Sequence, residues 1–340
     1  MHILWVGIDM AGASFDASIW NSLQAQSDYL GKETNELSGF TWLQEKIEQR
    51  QQRGQSVRIV LEATGGYEKK LIAFAYAQAW EVCLPNPKLV RDFTRGEGKR
   101  NKTDRDDANG LAAYGAKKNP LPQRELAAEI AELDDLQTRK IQLEKQLQAE
   151  RTRLTQWQQR PHPSATAVES TLNTVEYLEK EIARIEAAIK ALLTQHSNHN
   201  AMIRRLKTIP GVGNKISLPL LLILHRYKVR AKGGGTAKGL VAYCGLDPKR
   251  FDSGTSIRHR PTISKMGDRR MRHYLFMGAL GGVRGKNALR HFYCRLVERG
   301  KAKKLALVAA ARKILVWAFA IFTTETDFDP SKHPIPQIAS

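Results

Sequence analysis

Cysteine is scarce in this chain of 340 residues, which contains only three, Cys83, Cys244 and Cys294. Three widely separated cysteines exclude a disulfide framework and a zinc site of the Cys-x-x-Cys type. They are typical of a protein that works in a reducing compartment. We therefore expect a cytoplasmic protein.

Long apolar runs are also missing from the sequence. The most apolar late stretch covers residues 314–322 and directly follows Arg312 and Lys313. A membrane span needs about twenty apolar residues, so we predict a buried helix here and no membrane partner. The apolar run at the N-terminus carries Asp9, which is not typical of a signal peptide.

Acidic residues are depleted in the last 140 residues only. Residues 201–340 contain 28 lysines and arginines against 7 aspartates and glutamates, whereas residues 1–200 contain 26 against 27. The whole net charge of +20 is therefore confined to the C-terminal part. An excess of positive charge in one part of the chain favours a polyanionic partner for that part, and nucleic acid is the simplest one.

The N-terminal part reads as strands followed by alternating helices and strands. Apolar and alternating runs predict strands at residues 3–9, 14–20, 57–61 and 82–85, with a weaker strand near 29–33. Helical spacing predicts helices that begin near residues 40, 68, 87 and 104. This order predicts an α/β domain of the RNase H-like class.

Four acids mark the ends of these predicted elements. Asp9 and Glu62 each end an apolar strand, and Asp104 and Asp107 are three residues apart, on one face of a helix. Neighbouring carboxylates repel unless a cation lies between them, and oxygen ligands suit Mg²⁺. We predict a Mg²⁺ site in which two ions bridge a scissile phosphate. For Asp104 and Asp107 alone, an ordinary acid-rich first helical turn is the alternative.

Two further acids are predicted to lie outside this site. Asp16 is on the second strand, on the face opposite Phe15 and Ala17, so we expect it to face solvent. Asp106 points away from the face shared by Asp104 and Asp107, and we expect it to be solvated as well.

The middle region, residues 125–198, predicts two long helices. The break between them is at Pro161, and apolar residues from 168 to 192 then recur in steps of 4, 3, 3, 4, 3, 4 and 3. This spacing predicts a coiled-coil seam over three heptads. The two helices form a hairpin within the chain, a coiled coil with another chain, or both, and we expect a homo-oligomer.

The C-terminal part is predicted to be mainly helical. Pro210-Gly211-Val212-Gly213 between two helices favours either a phosphate-binding hairpin or an ordinary connection. Residues 249–272 hold eight lysines and arginines and two aspartates. In this run Ser253 precedes Gly254, which would let a phosphate approach, and the serine is either a nucleophile or a turn residue.

The residues that we predict to contact nucleic acid lie in two basic segments of the chain. They are Lys99, Arg100, Lys102, Lys249, Arg250, Arg258, Lys265, Arg269, Arg270 and Arg272.

These motifs together resemble the DEDD-type transposases of bacterial insertion sequences, which are bridge-RNA-guided recombinases. The resemblance covers nearly the whole chain. It rests on Asp9 in Gly-Ile-Asp, Glu62 in Leu-Glu-Ala-Thr-Gly, Asp104 and Asp107 in Thr-Asp-Arg-Asp-Asp-Ala, and Ser253 in Asp-Ser-Gly-Thr-Ser. Ser256 is the second choice for the nucleophile. The chain departs from the family by the extra Asp106 and by His259-Arg260-Pro261.

The resemblance implies three regions: an RNase H-like catalytic domain at 1–124, a coiled coil at 125–198 and a helical transposase domain at 199–340. It implies Mg²⁺ on the four acids and attack of Ser253 on DNA, with a phosphoserine intermediate and religation. It also implies a homo-oligomer with active sites shared between subunits, an element-encoded non-coding RNA, and donor and target DNA as partners.

Two other functions remain open at the level of sequence. One is a two-metal nuclease that cuts branched DNA with water as the nucleophile. The other is a non-catalytic architectural protein that binds nucleic acid, which is supported by charge alone. The four placed acids argue against the second.

Overall fold

The computed structural model describes residues 3–98, 103–231, 233–249 and 262–332, together with the backbone of 252–253 and 257–258. It divides into two compact units. The first comprises Met1–Glu125 and Lys228–Gly235, and the second comprises Leu126–Tyr227 and Thr236–Ser340. The predicted Lys99, Arg100, Lys102, Arg250 and Ser256 lie outside the described residues.

The first unit is built on one five-stranded sheet. Its strands are β1 (Ile3–Met10), β2 (Ser14–Asn21), β3 (Gln26–Thr34), β4 (Ser56–Leu61) and β5 (Glu81–Cys83), in the spatial order β3-β2-β1-β4-β5. The first three strands are antiparallel, whereas β4 is parallel to both β1 and β5. Its helices are α1 (Leu37–Glu48), α2 (Lys69–Ala77), α3 (Pro87–Gly96) and α4 (Asp104–Lys118). The predicted order of strands and helices is thus confirmed for an α/β N-terminal part.

Alternation along the strands gives the sheet two apolar faces. Val6 and Ile8 lie in a core cluster that includes residues of α1 and α2. Trp5, on the opposite face, packs with Leu111 and Tyr114 of α4. Because both faces are covered by helices, even the polar positions of β1 and β2 are shielded from water.

The second unit begins with two helices of 31 residues, α5 (Ala128–Gln158) and α6 (Ala165–Gln195). They run antiparallel, because Lys140 pairs with Glu186 and Arg151 with Glu179, each at 2.6 Å between nitrogen and oxygen. Leu143, Leu147 and Leu178 form a buried core between them, and further apolar residues of α6 pack against it. The hairpin within the chain is therefore present.

The rest of the second unit is mainly helical, as predicted. It contains α7 (Ser197–Lys207), α8 (Asn214–Arg230), α9 (Ala237–Tyr243), α10 (Arg269–Gly282), α11 (Ala288–Glu298), α12 (Lys303–Thr324) and a 3-10 turn (Pro330–Lys332). Four short strands form two pairs: β6 (Pro248–Lys249) with β9 (Thr262–Ile263), and β7 (Asp252–Ser253) with β8 (Ile257–Arg258).

Helix α12 is long and apolar enough, by length and composition, to cross a membrane. It buries Ala310, Ile314 and Ala318, and it packs against α9, α10 and α11. This is the environment of a core helix, which agrees with the buried helix predicted for residues 314–322.

Candidate active site

Two of the four predicted acids lie at one edge of the sheet. Asp9 is the penultimate residue of β1, and Glu62 directly follows β4. These strands are parallel, and Ile8 pairs with Leu61 in their register. The register places Asp9 and Glu62 at neighbouring positions of the carboxyl edge, where both are half-buried.

Helix α4 supplies the other two acids. Thr103 caps the helix, and its hydroxyl oxygen accepts a hydrogen bond from the backbone N–H of Asp106 at 3.1 Å. The cap fixes the first turn, which carries Asp104 and Asp107. Asp107 is half-buried and Asp104 is exposed.

Gly7 allows α4 to lie directly on β1. A Cβ atom at position 7 would be 2.2 Å from the backbone nitrogen of Ala112 and 2.3 Å from the carbonyl oxygen of Ala108. Only glycine fits at such an approach. Gly7 and Asp9 share one face of the strand, because side chains two residues apart point the same way. The first turn of α4 is thereby brought beside Asp9.

The pKa of Asp9 reflects the other predicted acids, which lie close enough to repel its negative charge. Burial, as the largest cause, and nearby negative charges together raise the pKa of Asp9 from its usual 3.8 to about 6. In order of effect, those charges belong to Asp107, Asp104, Glu62 and Asp16. A group of carboxylates with this mutual repulsion suits a divalent cation, which prefers oxygen ligands.

The expectation that Asp16 faces solvent is wrong. Asp16 is only 5% exposed and lies directly opposite Asp9 in the register of β1 and β2. The assignment of its strand face was right, but α4 covers that face, as it contacts both β1 and β2. The Tyr29 hydroxyl donates a hydrogen bond of 2.5 Å to the Asp16 carboxylate. This fifth acid is therefore wrongly predicted to lie outside the site, because nothing local in the sequence shows which helix covers the strand.

Lys32 connects the buried fifth acid to the exposed end of the cluster. Its ammonium nitrogen lies 3.3 Å from a carboxylate oxygen of Asp104 and 3.6 Å from one of Asp16. Asp16 and Lys32 are also partners in the register of β2 and β3. Strand β3 therefore contributes a positive charge to this acidic cluster.

Asp106 has a different role from its neighbours. Its carboxylate accepts a hydrogen bond of 2.7 Å from the Thr103 hydroxyl, on the outside of the helix cap. It is half-buried rather than fully solvated. Because its side chain and its backbone N–H are both hydrogen-bonded to Thr103, Asp106 belongs to the cap.

A loop after Glu62 is held by a residue that sequence analysis did not single out. Glu68 is 7% exposed, and one of its carboxylate oxygens accepts hydrogen bonds from the Thr64 backbone, the Thr64 hydroxyl and the Gly66 backbone. Burial alone would raise the pKa of Glu68, but these hydrogen bonds outweigh it and lower the pKa. The ionised carboxylate therefore fixes the loop that follows Glu62.

Ser253 lies in the second unit, apart from the acids in the first. It is in β7 and pairs with Ile257 of β8, and Asp252 pairs with Arg258 in the same two-stranded sheet. The serine is thus placed in a short hairpin. The side chains of Ser253 and Arg258 lie outside the described residues.

The described basic residues near this hairpin differ in their surroundings. Arg269 and Arg270 are exposed in the first turn of α10, and Lys265 is exposed as well. Arg272 instead donates hydrogen bonds to the carbonyl oxygens of Cys244 and Gly267, at 3.0 and 2.9 Å. That guanidinium holds the protein backbone. Lys249, in β6, is half-buried.

The glycine-rich connection between α7 and α8 has a packing role. Gly211 has a φ of +92°, and a Cβ atom there would be 2.3 Å from the carbonyl oxygen of Gly278 in α10. The position therefore requires glycine for its conformation and for its contact with α10. Binding of a phosphate at this connection stays a prediction.

Comparison with known families matches both parts of the chain. Residues 6–163 match the DEDD-type IS110 family, described as a transposase. Residues 203–294 match the family described as transposase of IS116, IS110 and IS902.

Several known proteins are similar to this chain. The pilin gene-inverting protein of Moraxella bovis is 31% identical over 98% of this chain and 100% of its own length, and that of Moraxella lacunata is 30% identical over the same shares. An uncharacterised 43.6 kDa protein of insertion element IS110 from Streptomyces coelicolor is 30% identical over 48% of this chain and 38% of its own length.

Proposed function

Because the chain belongs to the IS110 family of transposases, an enzyme family that cleaves and transfers DNA strands, we propose that it recombines DNA through a covalent serine intermediate. The observation that carries this proposal is the convergence of four carboxylates on Asp9. Carboxylates whose mutual repulsion raises a pKa in this way are concentrated at functional sites. A DNA-cleaving metal site is one such site.

The sheet supports an RNase H-like classification of the first unit. Its spatial order is β3-β2-β1-β4-β5, with the acids at the end of β1, after β4 and on α4. In this layout the central pair of parallel strands presents two acids at one edge. Helix α4, which packs on the sheet, then places Asp104 and Asp107 beside them.

The proposed cofactor is Mg²⁺, held by Asp9, Glu62, Asp104 and Asp107. When bound, it supplies positive charge to the scissile phosphate and to the oxygens that attack and leave. Asp16 lies behind these acids and does not touch DNA. It holds Tyr29 and Lys32 in position beside the other acids. Glu68 keeps the loop after Glu62 in place.

In the proposed step, the Ser253 hydroxyl oxygen attacks the scissile phosphorus. A bond forms between that oxygen and phosphorus, the bond from phosphorus to the 3′ oxygen breaks, and the serine proton ends on the released 3′-OH. One phosphodiester replaces another, so the free energy of the bond is kept for religation. Reversal of the attack by an exchanged 3′-OH then rejoins the strands without net hydrolysis.

The proposed partners are donor and target DNA and an element-encoded non-coding RNA that selects them by base pairing. The excess of basic residues in 201–340 supports binding to such polyanions. The name of the Moraxella relatives, pilin gene-inverting protein, supports DNA inversion between two sites as one outcome of the reaction.

The proposed assembly is a homo-oligomer in which the serine of one subunit completes the acidic site of another. Apolar side chains that the hairpin leaves outside its own core support a contact with a second chain, because Leu172 is 47% exposed and Tyr177 is 60% exposed on α6. Light scattering should show a lower mass for Leu172→Glu than for the wild type.

The decisive experiment is denaturing electrophoresis of labelled DNA after incubation with protein, RNA and Mg²⁺. We expect the wild type to form a protein–DNA adduct and Ser253→Ala to form none while still binding RNA and DNA. Ser256→Ala is the matched control and should keep the adduct. Asp104→Asn should abolish cleavage with nucleic-acid binding and fold intact.

Two outcomes would contradict this assignment. An adduct that persists in Ser253→Ala and disappears in Ser256→Ala would move the nucleophile to Ser256. Cleavage without any adduct in the wild type would favour the two-metal nuclease that uses water.

A further inference from the structure

A second group of metal-ligand side chains lies in the second unit, on helices that carry none of the acids discussed above. It consists of Glu129 in the first turn of α5, His196 at the junction of α6 and α7, and His199 in α7. One ligand atom of each residue lies within 4.8 Å of the others. Among the residues that the structure describes, this is the one group of three or more His, Cys, Asp or Glu ligand atoms that meets this limit.

The burial of this cluster is unusual for polar side chains. His199 is only 6% exposed, while Glu129 and His196 are half-buried. The ring of His225 in α8 meets the ring of His199 edge to face, with centroids 5.2 Å apart, and Phe322 of α12 covers His225 at 5.0 Å. An aromatic wall therefore fixes the orientation of the His199 imidazole and limits access of water to it.

One distance within the cluster is compatible with two side chains that share a metal ion. The Nε2 atom of His199 lies 3.4 Å from the Oε1 atom of Glu129. A good hydrogen bond between such atoms is about 2.7–3.2 Å long. Two ligands on one tetrahedral zinc, with metal distances of about 2.0–2.1 Å, lie about 3.4 Å apart. The observed distance matches that edge of a zinc tetrahedron.

From this arrangement we propose that Glu129, His196 and His199 bind one transition-metal ion of the zinc class. Two imidazoles and one carboxylate are typical ligands of zinc, whereas Mg²⁺ takes oxygen ligands. The fourth position is left for water. The three ligand atoms lie within 4.8 Å of one another, so small movements of the half-buried Glu129 and His196 side chains would bring the remaining atoms to bonding distance.

The position of the site indicates a structural role. Glu129 lies where the long hairpin begins and His196 lies where it ends, so a bound ion joins the base of α5 to the base of α6. His199 adds α7 to the same point. The ion thereby fastens the hairpin to the helical body of the second unit, independently of the acids on the sheet.

The test measures Co²⁺ and Zn²⁺ binding to the full chain after removal of metals with a chelator. The double substitution Asp104→Asn and Asp107→Asn is introduced first, so that the acidic site does not contribute. Co²⁺ titration of this background should give the visible absorption of a tetrahedral site with one equivalent bound. Zn²⁺ should displace the Co²⁺ and raise the melting temperature.

Single substitutions then identify the ligands. His196→Ala and Glu129→Gln should each weaken Co²⁺ binding by at least about tenfold. Even mutation of a residue that only hydrogen-bonds to a metal ligand lowers metal affinity by about 10–100-fold. Both variants should also remove the rise in melting temperature with Zn²⁺. His162→Ala, at the exposed tip between α5 and α6, is the matched control and should bind as the background does.

Clear results would overturn the proposal. Absence of Co²⁺ absorption in the background protein would do so, and so would binding that is unchanged in both His196→Ala and Glu129→Gln. Far-UV circular dichroism shows that each variant is folded, and if His196→Ala were misfolded, the milder Glu129→Gln would decide. Because the readouts are metal binding and stability, failure of DNA cleavage would leave this test unaffected.

Discussion

Asp9 is the residue at which the electrostatics of the candidate site concentrate. Its pKa is raised from 3.8 to about 6, first by burial and then by the surrounding acids. The folded protein therefore binds a proton at Asp9 more tightly than the unfolded chain does. Between about pH 4 and 6 the folded state holds more protons, so this group makes the metal-free protein less stable as the pH rises through that window.

The first prediction follows from that sign. The rise of the Asp9 pKa from 3.8 to about 6 corresponds to about 3 kcal/mol, and solvent screening of the half-buried group reduces this to about 1–2 kcal/mol. Asp9→Asn should raise the free energy of unfolding at pH 7.5 in chelator by that amount, and should change it little at pH 4. Urea unfolding at both pH values measures this.

The control for Asp9→Asn removes a charge from the same unit without touching the cluster. Asp92 is exposed on α3, and Asp92→Asn should leave stability nearly unchanged at either pH. An Asp9→Asn variant that is destabilised at pH 7.5, or equally stabilised at pH 4, would contradict the idea that Asp9 is repelled by its neighbours.

At the scale of elements, the contact between α4 and β1 decides whether the acids meet. The second prediction is that Gly7→Ala lowers stability by about 1–3 kcal/mol, the usual effect of overpacking a core. Its Cβ atom would collide with the backbone of α4 at Ala108 and Ala112, so the helix must move away from Asp9. Mg²⁺-dependent cleavage should fall as well.

Gly96→Ala is the matched control for Gly7→Ala. It makes the same substitution at the end of α3, where a Cβ atom meets nothing within 4 Å. We expect normal stability and cleavage, measured by thermal melting and by the DNA assay. Equal behaviour of the two alanine variants would mean that close approach of α4 is not required.

The hairpin of α5 and α6 gives the third prediction. Val175 packs against the core formed by Leu143, Leu147 and Leu178 within one chain, whereas Tyr177 points outward. Val175→Glu should therefore cost about 1–3 kcal/mol, and Tyr177→Glu should cost little. Circular dichroism during urea unfolding measures both, and similar losses would show that the hairpin core does not stabilise the second unit.

The sequence predicts this hairpin well because its apolar residues repeat locally. Helical spacing identifies both helices and most of the seam, but it assigns Leu172 to the interior, whereas Thr171 is buried and Leu172 is exposed. Near the tip, the packing partner decides which of two adjacent residues turns inward. That choice depends on the facing helix and cannot be predicted from one helix alone.

The candidate site shows the same division between local and tertiary signals. Asp9, Glu62, Asp104 and Asp107 could be chosen from the sequence because each marks the end or start of an element. The burial of Asp16 depends on α4, which is distant in sequence. Glu129 and His199 are 70 residues apart and meet only because the hairpin closes; the pair His196 and His199, three residues apart, is the only local signal.

At the scale of the whole molecule, charge is distributed unevenly along the chain. Residues 201–340 carry a net charge of +21 and residues 1–200 one of −1. Nucleic acid binding releases counterions from phosphates, so its affinity falls with salt in proportion to the number of phosphate contacts. The slope of this dependence therefore reports how many basic side chains in 201–340 contact the backbone of DNA or RNA.

The last prediction assigns part of that slope to Arg269 and Arg270. Both are exposed at the start of α10, whereas Arg272 in the same helix holds backbone carbonyls of the protein. Replacing Arg269 and Arg270 by glutamine should weaken binding and reduce the salt slope by about one unit per lost phosphate contact. Fluorescence anisotropy at several salt concentrations measures the slope.

The matched control is the double replacement of Arg50 and Arg53 by glutamine, which removes the same charge from exposed positions in the near-neutral residues 1–200. Its slope should equal that of the wild type, because these positions lie outside the basic region. If both double variants lost the same slope, binding would depend on net charge alone. If neither double variant changed the salt slope, the phosphate contacts would lie elsewhere in the basic region. The exposed arginines of α10 would then bind a different partner.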